Sequence, residues 1–285
     1  MTLPAQHQAL AHKIPVHMAD RSGRYLGALT SFQPAQNSYK HWFTQLQMFD
    51  RDDFNLPIAK ALVISRIHNQ RTSLLKRKAH RKQLQPTLNQ LKKLLYKVQG
   101  AEKLSSLNGL EGTATRLYLQ QFNRFLPEWA HFSKRTRRPP TDPFNVLLSL
   151  GYTILYSHVD SILQAAGFLT WKGLYHQQSA AHAALASDIM ESYRHLVERF
   201  AIFVINHGQI KEDDFREDPQ PYNKTTALRL SAEARRRYVS GLLNRFNQFS
   251  TQQTLHQHLY DQAQTLKIAI HNQTPNSFQP WKQMK

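Results

Sequence analysis

Apolar residues recur at the three-and-four spacing of an α-helix through most of this chain, and only one short stretch alternates with the period of two that a strand requires. Ile14, Val16 and Met18 alternate with Pro15, His17 and Ala19. The turn-like Asp20-Arg21-Ser22-Gly23 and Tyr25-Leu26-Gly27 follow, so this stretch reads as one hairpin, too small to stand alone. From Asn55 onward the period is helical. Asn55 with Pro57 reads as a cap and first turn ahead of Ile58, Ala61, Leu62, Ile64 and Ile67. A basic connection leads to Leu88, Leu91, Leu94, Leu95 and Val98, closed by Gly100. Asp142-Pro143 opens a helix striped by Val146, Leu147, Leu150, Ile154, Leu155, Ile162 and Leu163, with Gly167 at its end. Further helices are expected over about 179–206, 231–249 and 252–271. The fold class is therefore mainly α, a multi-helix domain preceded by a small, partial β element. The expected segments are 1–52 with the β element, 53–272 helical, and 273–285, containing Pro275 and Pro280, as a loose tail.

The 285 residues carry 37 Lys and Arg against 19 Asp and Glu, a formal charge of +18, which attracts polyanions, nucleic acid foremost. A basic surface serving solubility or anionic lipid is the alternative. There is no cysteine, which excludes disulfides, thiolate zinc sites and a cysteine nucleophile, so any metal must sit on oxygen and imidazole. The first residues lack a secretory pattern. The longest uninterrupted apolar run, Phe200–Ile205, is far shorter than the ~20 residues of a membrane span, so a soluble, cytoplasmic protein without membrane contact is expected.

Four features are chemically loaded. Asn108-Gly109-Leu110-Glu111-Gly112 reads either as a capping box or as an acid flanked by glycines that admit a ligand. Asp188 and Glu191, three apart, share a helix face suited to a hard divalent cation, or form a solvated edge with Arg194 as ion partner. His176 precedes that helix in Gly173-Leu174-Tyr175-His176. Basic groups cluster at Arg71 to Lys82, Arg135 to Arg138 and Arg235 to Arg237, where few acids offset them, which suits phosphate contacts. No Walker loop, GxSxG elbow, GxGxxG, zinc-finger spacing or RNA-binding sheet motif is present.

Taken together, these segments resemble the CRISPR-associated endonuclease/integrase that inserts new spacers into a CRISPR array. The resemblance runs from about Ile14 to about Phe246. It is carried by Leu110-Glu111-Gly112 with Ala114, Arg116 and Tyr118, and by Arg137-Arg138-Pro139-Pro140-Thr141-Asp142-Pro143-Phe144-Asn145 leading to Gly151-Tyr152. Ala166-Gly167, Gly173 to His176, and Ser187-Asp188-Ile189-Met190-Glu191-Ser192-Tyr193-Arg194 complete it.

The resemblance implies that Glu111, His176 and Glu191 bind Mg2+ or Mn2+, with Asp188 as second acid of the catalytic set. It implies phosphoryl transfer on double-stranded DNA, in which a 3′-hydroxyl of spacer DNA attacks a phosphodiester of the repeat. Arg71, Arg77, Arg81, Arg116, Arg137, Arg138, Asn145 and Arg194 are the expected DNA contacts. A small ferredoxin-like adaptation subunit is the expected partner. A homodimer is the family's habit, formed through a β domain whose opening strands are expected to be absent from this sequence, either through truncation or because the polypeptide is one part of a longer or split architecture. Gln177 stands after His176 where the family commonly has an acid. A non-catalytic basic DNA scaffold of the same fold, and a divalent-metal nuclease on branched DNA, are the alternatives.

Overall fold

The computed structural model describes residues 1–12, 14, 16–19, 25–29, 38–136, 139–176, 182–217 and 227–284. Arg137, Arg138, Gln177 and the expected turn at 20–23 lie outside the described residues. The elements run α1 (Leu3–Ala11), β1 (Val16–Ala19), β2 (Tyr25–Leu29), α2 (Ser38–Phe49), α3 (Asp52–Leu75), α4 (Arg81–Gln99), α5 (Leu104–Leu119) and α6 (Pro143–Ala165). They continue as α7 (Ala184–Met190), α8 (Arg194–Asn206), β3 (Phe215–Glu217), β4 (Leu228–Leu230), α9 (Ala232–Asn247) and α10 (Leu255–His271). The mainly helical class expected from periodicity is what the chain adopts. β1 and β2 pair antiparallel, Val16 opposite Leu29 and Met18 opposite Gly27, and β3 pairs with β4.

The chain divides into two units, and α3 and α6 each pass from one to the other. The first comprises 1–62, 156–190 and 250–280. In it α2 packs on α10, and polar side chains of α2 fasten the loop after α6. The Trp42 indole donates to the Gly167 carbonyl (2.7 Å), and the Gln45 amide both donates to and accepts from the Leu169 backbone (2.9 and 3.1 Å). Gly167 has a φ of +89°, so the helix end that carries these carbonyls needs a residue without a Cβ.

The second unit comprises 63–155, 191–249 and 281–285. Its core gathers Tyr118, Phe132 and Phe144 edge to face around Phe122, with Leu84, Leu88, Leu91 and Val98 supplying the buried stripe of α4. Asp142 caps α6, its carboxylate accepting from the Asn145 amide N–H (2.8 Å), as the Asp-Pro signal predicts. At Gly151 a Cβ would fall on Val197 and on the Tyr238 hydroxyl, which explains the glycine of the Leu-Gly-Tyr segment through close helix packing. By length and composition α6 could span a bilayer, but more than half of its most apolar window is buried within the fold.

Several expectations are corrected. Among the described residues of 1–52 helix outweighs strand, with α1 and α2 flanking the hairpin. Their apolar positions are too few and too mixed with Gln and His for the period to show. α3 starts at Asp52, and the Asn55 side chain donates back to the Phe49 carbonyl (2.8 Å) rather than capping. Asn108 lies inside α5, which starts at Leu104, so no capping box forms there. The C-terminal segment is not loose: Phe278 is buried in the first unit, and in the second Trp281 stacks on Tyr193 at 5.4 Å with planes 6° apart. Its carbonyl accepts from Ser65 and Asn69, so ring burial and backbone pairing hold it.

His195, buried and stacked on Trp281 (5.2 Å), has its pKa lowered from 6.5 to about 3 by burial and by the charges of Arg199 and Arg66. Between those values the unfolded chain binds a proton that the folded chain refuses. Stability therefore falls as pH drops through that window, by about 1.4 kcal/mol per unit for this one group. His158, lowered to about 4 by burial and His256, acts with the same sign. Urea unfolding between pH 6.5 and 5 is expected to show this slope, with about one proton's worth of it lost in His195→Phe. An unchanged slope in that variant would remove His195 from the account.

Candidate functional site

α3 enters the second unit carrying polar side chains on buried positions, and these organise the site. Arg66 and Gln70, four apart on one face, both donate to the Thr115 hydroxyl of α5 (3.3 and 3.2 Å). Glu111 stands one turn before Thr115 on the same face, and its Oε1 lies 3.4 Å from Arg66 Nε. From the 3-10 turn Glu191–Tyr193 the Glu191 carboxylate reaches the same guanidinium, Oε2 to Nη1 at 2.7 Å. Ser65 and Asn69 fix that turn from the adjacent face: the Ser65 and Ser192 hydroxyls meet at 2.9 Å, and Asn69 donates to the Ser192 carbonyl (2.7 Å).

Arg194 closes the other side of Glu191, Nε to Oε1 at 2.7 Å, and its guanidinium lies over the Tyr152 ring at 4.9 Å. The Tyr152 hydroxyl donates to the fully buried Glu198 (2.6 Å). Burial first, then Glu198, raises the pKa of that hydroxyl well above the usual phenol value. The network holds two cations, Arg66 and Arg194, against three carboxylates, Glu111, Glu191 and Glu198. Burial opposes the charge on Arg66, yet Glu191, Glu111 and Glu198 outweigh it and raise its pKa. At 4% side-chain exposure Glu191 is sequestered, while Glu111 is 17% exposed and forms the open edge.

In the first unit, Asp188 is fully buried and both of its oxygens are spent. Oδ2 accepts from the Leu174 and Tyr175 amides (2.6 and 3.1 Å), and Oδ1 from the His176 amide and from His176 Nδ1 (2.8 and 2.7 Å). The turn wraps the carboxylate so tightly that a Cβ on Gly173 would lie 2.9 Å from Oδ2. Asp188 thus fixes the orientation of the His176 ring through Nδ1. Its expected part as a second acid is corrected to a positioning one, because four donors already take its lone pairs.

The expected DNA contacts divide. Arg81 and Arg116 are exposed on α4 and α5. Arg71 is partly buried with Nε 3.4 Å from the Leu88 carbonyl, and Arg77 lies over Phe125 at 4.9 Å. Asn145 is corrected from a contact to a brace. It is fully buried, donates to Lys134 O (2.8 Å) and Asp142 Oδ2 (2.6 Å), and accepts from Arg135 (2.9 Å) and the Thr136 amide (3.1 Å). Arg194 is likewise committed inward to Glu191 and Tyr152. A Cβ on Gly109 or Gly112 would meet nothing within 4 Å, so packing does not explain the glycines beside Glu111.

Sequence reasoning passed over Arg66 and Glu198, and named Tyr152 only as part of a motif, without a role. The signal for Arg66 was a charged residue inside the apolar stripe Ile58–Ile67, where a solvated side chain is out of place. By type the donors suit a hard divalent cation: in the second unit two carboxylates converge on one positive charge, and in the first, taken by itself, an imidazole is held by a carboxylate. Among the described residues no group of three or more His, Asp or Glu side chains is gathered closely enough to hold a metal.

The family model described as CRISPR associated protein Cas1 matches residues 1–243. A CRISPR-associated exonuclease Cas4/endonuclease Cas1 fusion of Rhodospirillum rubrum is 33% identical over 224 residues, which is 75% of this chain and 38% of the fusion, so the match spans well under half of that relative. Among solved structures, a chain of a partial Cas6-RT-Cas1--Cas2 complex is 74% identical and superposes with a TM-score of 0.93, covering all of this chain and 86% of that one. A casposase bound to integration product is 21% identical with a TM-score of 0.79, over 99% of this chain and 83% of that one, and shares the fold. With a family model matched over most of its length and helices that superpose throughout, the chain belongs to the CRISPR-associated Cas1 family.

Proposed function

We propose that this chain is the integrase of CRISPR adaptation, joining a 3′-hydroxyl of spacer DNA to a phosphodiester of the repeat with Mg2+ or Mn2+. The observation that carries the reading is the convergence of Glu111 and Glu191 on the Arg66 guanidinium, with His176 braced by Asp188. Glu111, Glu191 and His176 would hold the cation. A bound divalent ion supplies polarisation of the phosphate and offsets charge that builds in the transition state. The chain's own residues do the rest. Arg66 and Arg194 fix the two Glu191 oxygens, Asp188 fixes the His176 ring, and Arg81 and Arg116 offer cations to the DNA backbone. The nucleophilic oxygen forms the new P–O bond as the repeat's 3′ oxygen leaves, so joining needs no external energy source.

The +18 charge supports double-stranded DNA as substrate. The 74% identical neighbour belongs to a complex with Cas2, which supports a small Cas2-type subunit as partner. Such a complex would work in the cytoplasm. The test is strand transfer of a short 3′-hydroxyl duplex into a supercoiled repeat plasmid, with Mn2+ and the small partner. Wild type is expected to join DNA, and Glu111→Ala and His176→Ala to lose joining by about 10³-fold or more, the scale of losing a transition-state stabiliser. DNA binding with no joining in all three would leave a scaffold, and shortened strands without joined product would make the chain a nuclease.

A further inference from the structure

A cavity of about 480 Å³ opens within the second unit, its lining shares no residue with the acidic network, and its chemistry is basic and aromatic. Lys76, Arg77, Arg199 and Arg245 line it, and among the described residues no Asp or Glu does. Four cations drawn together without a carboxylate repel one another. Burial first, then Arg199, lowers the Lys76 pKa, and burial together with Arg245 and Arg77 lowers that of Arg199. An uncompensated arrangement of this kind is held ready for an anion. At the mouth Phe203, a large apolar side chain, is 41% exposed and lies beside His207, ring centroids 4.1 Å apart. An exposed ring beside a set of cations matches a ligand with a flat base at one end and a phosphate at the other.

The C-terminal segment reinforces the case. Gln283 lies in the cavity with its main-chain N–H donating to Asn69 Oδ1 (2.7 Å). With its amide turned to satisfy both sides, the side-chain oxygen accepts from Lys76 Nζ (3.1 Å) and Arg199 Nη1 (2.8 Å). A neutral carbonyl oxygen thus sits where the cations converge, the position that a phosphate oxygen would fill with full charge.

We propose that this cavity is a nucleotide site, in which Lys76, Arg77, Arg199 and Arg245 hold the phosphate, Phe203 takes the base, and Gln283 is the placeholder that the phosphate displaces. The site is separate from the proposed chemistry at Glu111 and Glu191, so it stands or falls independently of integration. The phosphate belongs either to a free nucleotide or to the end of a DNA strand.

Isothermal titration calorimetry on the purified chain with inorganic phosphate, dAMP, and short oligo-dT with and without a 5′-phosphate tests it. Wild type is expected to bind dAMP more tightly than inorganic phosphate, and Lys76→Gln with Arg199→Gln to weaken dAMP at least about tenfold, the scale of two charge-assisted hydrogen bonds. Gln283→Glu, which neutralises the cations from inside, is expected to weaken dAMP comparably while its melting temperature holds or rises, a combination that misfolding cannot produce. Competition by dAMP assigns the site to free nucleotides. Binding confined to 5′-phosphorylated oligo-dT assigns it to strand ends. Absence of binding by every probe, or variants that bind as wild type does, overturns the proposal.

Discussion

Arg66→Met is expected to cost the fold about 3–5 kcal/mol, the penalty of leaving a buried charge without its partner. Methionine fills the volume, so the loss is electrostatic. Glu191, with 4% of its side chain exposed, loses the cation at 2.7 Å while its ion pair with Arg194 remains, and Glu111 loses the cation 3.4 Å away. The Thr115 and Gln70 contacts that hold α3 against α5 are weakened as well. Urea unfolding at neutral pH measures this. The control is Arg66→Met combined with Glu191→Gln: if the cost is an orphaned carboxylate, the double variant is more stable than Arg66→Met alone, with a coupling of about 0.5–3 kcal/mol. Additive losses would mean that Arg66 matters only as packing.

The same residue shows where sequence reasoning stops. The stripe of α4, the Asp142 cap and the β1–β2 hairpin were legible because each depends on residues within a few positions, whereas Glu111, His176 and Glu191 were singled out only through family resemblance. Arg66 was not, because its partners lie 45 and 125 positions away and only the packing of α5 and the 191–193 turn on α3 brings them to it. Asn145 and Arg194 were read as DNA contacts from the same ordered motif. Their side chains in fact face inward, since a short amide or a guanidinium beside buried carbonyls and carboxylates is held more firmly than one in water. The tail misled for the opposite reason: two prolines and polar residues suggest looseness, whereas one tryptophan stacked on Tyr193 and His195 anchors it.

Asp188→Ala is expected to be the most damaging change in the first unit. It strips the shared acceptor from three backbone amides and one imidazole, and each buried donor left unsatisfied costs about 1–3 kcal/mol, with partial relief as the turn relaxes. A net loss of about 3–5 kcal/mol and failure of strand transfer follow. Asp188→Asn separates positioning from folding, because it keeps the shape and one acceptor oxygen but sets an NH2 group against a donor. The variant should melt several degrees lower yet stay folded at 25 °C. Its Mn2+ affinity should drop about 10–100-fold, the usual cost of losing the carboxylate behind a ligating histidine. Calorimetric Mn2+ titration beside a thermal melt distinguishes the cases. Full Mn2+ affinity in a folded Asp188→Asn would mean that His176 needs no brace. A loss shared by Asp188→Asn and His176→Gln, and not increased when the two are combined, would place both on one line from buried carboxylate to imidazole to metal.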